Sequence, residues 1–112
     1  MSNVYRLAHY KRRKHVFCFT RPELNLLLSL YSRRVIAGDW KAYAIDHEGG
    51  VAQFSIFSHA RAQPLYTVVK SRRTSERAPR YSVLQGSSRI SQSDTLSGAL
   101  AVFERNLKLV SP

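Results

Sequence analysis

Apolar residues along the chain change period, and the changes mark out its elements. Between Thr20 and Gly38, the residues Leu24, Leu27, Leu28, Tyr31 and Val35 recur at helical steps, which gathers their side chains on one face. Residues 20–23 read TRPE, a capping box: the threonine hydroxyl and the glutamate carboxylate satisfy free N–H groups, and Pro22 is tolerated in a first turn. Arg33 and Arg34 suit the negative end of the dipole, and Gly38 supplies the stop. A helix beginning near Arg21 is predicted.

Beyond Asp39 and Trp40 the period drops to two. Residues 41–46 (KAYAID) lead through a turn at His47, Glu48, Gly49 and Gly50 into residues 51–59, a β-hairpin. Ala52, Phe54 and Ile56 share the face expected to meet the core, while Gln53, Ser55 and Phe57 share the other. Pro64 opens a strand at 65–70 (LYTVVK), residues 81–84 (YSVL) form another, and Gln85, Gly86 and Ser87 turn towards a short strand at 89–91. Aromatic and β-branched residues at 15–19 (HVFCF) predict a strand before the first helix. A last helix, capped by Ser93 or Asp94, carries Leu96, Ala99, Leu100, Phe103 and Leu107 as its stripe, with Glu104 and Lys108 as an i,i+4 pair. The order β-α-β-β-β-β-α predicts an α+β fold: an antiparallel four- to five-stranded sheet with two helices packed on one face.

At 112 residues, 44% of them apolar and 11% aromatic, the chain supports one core, expected in a single α+β domain over residues 15–112. Residues 1–14 end in Lys11, Arg12, Arg13 and Lys14, a self-repelling block that predicts a flexible basic arm. Residues 71–80 (SRRTSERAPR) lack apolar periodicity and predict a flexible basic loop.

Charge then changes the picture. Eighteen Lys and Arg face seven Asp and Glu, for a formal charge of +11 and a pI near 10.6. A polyanionic partner is expected, nucleic acid ahead of an acidic protein surface. The candidate contacts are Lys11, Arg12, Arg13 and Lys14 in the arm, with Lys70, Arg72, Arg73, Arg77 and Arg80 around the loop. Guanidinium forks suit phosphate, and Tyr10, Tyr66 and Tyr81 lie near these clusters in sequence, as aromatic faces do where single strands are held. No helix presents a polar and basic face for reading base edges, so RNA or another single strand is expected over duplex DNA, with little sequence preference.

Other chemistry is sparse. Histidines 9, 15, 47 and 59 show no ligand spacing, so neither metal nor cofactor is expected. Asp46, His47 and Glu48 read as a polar turn rather than a general base. Cys18, the sole cysteine, reads as a core residue and fits a reducing, cytoplasmic setting. Nucleophile elbows, phosphate loops and dinucleotide fingerprints do not occur, and a non-catalytic protein is expected. No apolar run suits a signal peptide or a membrane span. The element order lacks that of an RNA-recognition motif, and Asp94 stands where a double-stranded RNA-binding domain carries lysines. A competing expectation is a protein-interaction module that docks an acidic partner or self-associates through Trp40, Tyr43 and Phe57.

Five short stretches, FTRPELN (19–25), AGDW with YAID (37–46), PLY (64–66), RYSV (80–83) and LKLV (107–110), together resemble an uncharacterised family of small alphaproteobacterial proteins, a domain of unknown function. The likeness runs over residues 16–110. It implies a bacterial cytosolic setting and transfers no activity to particular positions.

Overall fold

The computed structural model of the chain describes residues 17–58, 63–72 and 79–110, the side chains of 105–110 excepted. Helix α1 spans Arg21–Ile36, five strands follow as β1 Ala42–Glu48, β2 Val51–Phe57, β3 Tyr66–Ser71, β4 Arg80–Gln85 and β5 Ser88–Ser93, and helix α2 spans Leu96–Val110. The strands form one antiparallel sheet in the order β1-β2-β3-β4-β5, so each pairs with its neighbour in sequence. This is the expected α+β fold. No described helix is long and apolar enough to cross a membrane.

Local chemistry sets most boundaries. The capping box at α1 forms as read: Thr20 N–H donates to Glu23 Oε1 at 2.7 Å, and Glu23 N–H donates to Thr20 Oγ1 at 3.3 Å. Two hairpins turn on two residues each, Gly49-Gly50 and Gly86-Ser87, and the first glycine of each holds a positive φ that an L side chain resists. His47 and Glu48, expected in the turn, therefore lie within β1, opposite Ala52 and Val51. The cap of α2 is Thr95, whose Oγ1 accepts from Gly98 N–H at 3.0 Å, rather than Ser93 or Asp94. Ser93 instead braces that cap, its Oγ accepting from Thr95 N–H at 3.2 Å.

The strand expected at 15–19 is absent from its described part. Phe17, Cys18 and Phe19 precede α1 as irregular chain, and Phe19 enters the core as a plug. His15, Val16 and the expected arm lie outside the described residues, as does the body of the loop at 73–78.

Both helices cover one face of the sheet, which carries Phe54 and Ile56 on β2, Val68 on β3 and Val83 on β4. Leu27 of α1 and Phe103 of α2 are each 1% exposed. The stripe of α1 departs from expectation: Val35 is exposed, and Leu30 is buried where α1 meets Leu100 and Ala101 of α2. Helix α2 lies over β4 and β5, where Ser91 Oγ donates to the Ala99 carbonyl at 2.8 Å. Arg34 joins the helices, donating to the Phe103 carbonyl at 3.0 Å and to Asp39 Oδ2 at 3.1 Å beneath Trp40. Glu104 meets Arg33 of α1 at 3.5 Å, and the side chain of its expected partner Lys108 lies outside the described residues. No described element lies against the opposite face of the sheet.

Candidate nucleic-acid interface

Glu23 does two jobs. Besides closing the capping box, its carboxylate accepts from Lys70 Nζ at 2.8 Å through Oε1 and from the Tyr81 hydroxyl through Oε2. Lys70 Nζ also donates to the Cys18 carbonyl at 2.9 Å and stands 5.0 Å from the centre of the Phe17 ring. Lys70 and Tyr81 face each other across β3 and β4 on the helix-covered side, and they are only 5% and 6% exposed. Burial alone raises the Glu23 carboxyl, but hydrogen bonds from Lys70, Tyr81 and the Thr20 N–H, with the Lys70 charge, outweigh it and hold the group below its ordinary value. Burial, then the hydrogen bond and charge of Glu23, push the Tyr81 phenol up, so it stays a donor.

The network pins residues 17–20 over the end of β3. Two residues past Lys70 on the same face, Arg72 reaches out of the sheet with its guanidinium 4.8 Å from the Phe17 ring centre. Its N–H donates to the Gly50 carbonyl at 3.0 Å, and its side chain is exposed. Chain entering the body at Phe17 and chain leaving β3 at Arg72 thus run side by side. Lys14 is three residues from Phe17, within about 11 Å of extended chain, and Arg73 follows Arg72 directly. Two basic clusters some sixty residues apart in sequence are rooted at one point.

Charge is divided unevenly around that point. Residues 17–58, 63–72 and 79–104 hold eight Lys and Arg against six Asp and Glu, whereas residues 1–16 hold five and no acid. Within the first group Arg33, Arg34, Lys70 and Arg80 each have an acidic partner. Asp46 and Glu48 lie on the uncovered face of β1, with the sheet between them and Arg72.

Several sequence-predicted contacts are used inside the fold. Lys70 and Tyr81 are spent on Glu23, and Tyr66 packs between Trp40 and Phe103, with ring centres 6.1 and 4.9 Å away. The alternation of β3 and β4 turns all three under the helices, so nearness to a basic run in sequence did not make them surface groups. Arg80 alternates to the other face, where its Nε lies 3.4 Å from Asp94 Oδ1 without forming a hydrogen bond. Arg72 alone of the described candidates is both exposed and without an acidic partner among the described residues. Lys11, Arg12, Arg13, Lys14, Arg73, Arg77 and Tyr10 lie outside them.

The other candidates separate. Trp40 is 3% exposed in the core, Tyr43 stacks on Phe54 at 5.2 Å, and Phe57 points to the opposite face, so the three make no common patch. Asp46 and Glu48 point away from His47 across β1, and no group of His, Cys, Asp and Glu that could hold a metal occurs among the described residues. What sequence reading missed was Glu23 as the hub and Phe17 as the anchor.

A family described as proteins of unknown function, DUF2794, matches residues 17–97. The chain belongs to that family. Its matched span opens at Phe17, the ring on which Arg72 rests, and takes in Glu23, Lys70 and Tyr81. No curated protein and no solved structure matches the chain.

Proposed function

We propose that this DUF2794 protein binds RNA or another single-stranded nucleic acid, without catalysis and with little sequence preference, in the cytoplasm. The observation that carries the reading is the common root of the two basic segments at Phe17 and Arg72. Phosphate contacts come from Lys11, Arg12, Arg13 and Lys14 on one side and from Arg72, Arg73 and Arg77 on the other. Lys70, Glu23 and Tyr81 act behind them, fixing where the first segment enters the body. Arg80 roots the far end of the loop through Asp94 rather than joining the contact set.

Anisotropy titration of the full chain against a labelled single-stranded RNA and a duplex DNA, at low and near-physiological salt, tests the reading. The single strand is expected to bind more tightly than about 100 μM near physiological salt and to weaken steeply as salt rises. Failure of both nucleic acids to reach that limit sinks it.

A further inference from the structure

No described element covers the sheet face opposite the helices, and its charges are sorted by strand. Asp46 and Glu48 stand on β1 at one edge; at the other, Arg89 stands on β5, with Arg80 on β4 set against Asp94. Between them the face carries no charged residue, with Gln53 and Ser55 on β2, Val69 on β3, and Ser82 and Leu84 on β4. Ser55 and Ser82 on this face are buried. A hollow of about 460 Å³ opens at the acidic edge, lined by Asp46, His47, Glu48, Val51 and Gln53.

We infer that this face binds a second copy of the chain, sheet against sheet, about a two-fold axis running along β3. The charge arrangement selects the axis. Rotation about a line parallel to the strands lays β1 of one copy over β5 of the other, so Asp46 sits above Gln92, whose Oε1 accepts from Arg89 Nη1 at 3.3 Å. The Arg89 guanidinium then reaches the acid-lined hollow, twice over by symmetry. Rotation about a line across the strands at Val69 lays β1 over β1 and sets Asp46 against its own copy, a like-charge contact that costs affinity. Five strands at ~4.8 Å spacing and about six residues at ~3.3 Å give a face near 20 Å on each side. Two such faces bury on the order of 1,000 Å², the low end of specific interfaces, where weak and transient association is found. The favoured axis also carries the Phe17–Arg72 roots of both copies to the same end of the pair.

Sedimentation velocity of the full chain from about 5 to 200 μM, in salt near 0.3 M to screen repulsion between the basic segments, reads the association. The expected mass rises to twice the 12.8 kDa of one chain. Asp46→Arg and Arg89→Asp, both at exposed positions, each weaken the pair at least about 10-fold, and the double variant returns to within about 3-fold of the original. Val69→Arg at the centre of the face holds the protein at the single-chain mass. A constant single-chain mass throughout the range, or association that Val69→Arg leaves unchanged, overturns the inference. So does a double variant no better than either single one, which decides the matter even if Val69→Arg fails to fold.

Discussion

The described body and the basic segments spend charge in opposite ways. In the body, half of the basic groups stand against an acid, among them Lys70 between Glu23 and the Cys18 carbonyl, Arg34 between Asp39 and the Phe103 carbonyl, and Arg33 against Glu104. In residues 1–16 the five basic residues have no acidic neighbour in sequence, and residues 73–78 add two arginines against Glu76. A net charge of +11 is therefore not spread over a surface; most of it belongs to chain rooted at or beyond the ends of the described elements. Lys70 and Lys14 count equally in the total, yet Lys70 is held inside the fold by Glu23 and the Cys18 carbonyl. Charge has to be allocated before it can be read as function.

That division predicts a double dissociation between stability and binding. Replacing Glu23 with Leu leaves Lys70 buried without its counter-charge and removes the cap partner of Thr20. A loss of about 3–5 kcal/mol is expected, lowering the thermal midpoint by more than ~10 °C. A shift of only a degree or two would show that the network is ornamental. Changing Lys11, Arg12, Arg13 and Lys14 together to Gln does the reverse: single-strand affinity near 0.1 M salt falls about 100- to 1,000-fold while the thermal midpoint stays within ~1 °C. A matching loss of stability would mean that the segment belongs to the body.

Smaller effects sharpen the role of the hub. Tyr81→Phe removes one donor from a carboxylate that keeps its others, and should cost about 1–2 kcal/mol in denaturant unfolding. Acid should act through the same group. The Glu23 carboxyl is held below its ordinary 4.5, so its contribution is complete above the unfolded value and is lost as pH falls below 4.5 through the lower folded one. Melting curves between pH 7 and pH 3 should show that loss in the parent chain and a flatter response in Glu23→Leu. Least of all, Gly86→Ala at φ 63° should cost about 1 kcal/mol and leave binding untouched.

Signals confined to a few neighbouring residues were legible from sequence. TRPE announced both the start of α1 and its cap, the alternation at 51–57 gave the buried face of β2, and Gly86 marked the turn into β5. Contacts across the chain were not. Glu23 reaches Lys70 and Tyr81 over separations of 47 and 58 residues, and neither spacing leaves any local pattern. Residues 17–19 have the composition of a strand, but the Cys18 carbonyl is taken by the Lys70 ammonium and Phe19 fills the core, so they pack instead of pairing. Tyr66 and Tyr81 misled for the same reason: proximity to arginines in sequence says nothing about the sheet face a side chain occupies.

The salt dependence of binding tests the central claim most directly. A labelled single-stranded RNA titrated with the full chain from about 0.05 to 0.4 M salt should give a log–log slope near −5, because seven basic side chains displace about 0.7 counterion each. With Lys11, Arg12, Arg13 and Lys14 changed to Gln, the slope should fall to about −2. A slope shallower than about −2 in the parent chain, or one that the four changes leave alone, would contradict an electrostatic interface built from the two segments rooted at Phe17 and Arg72.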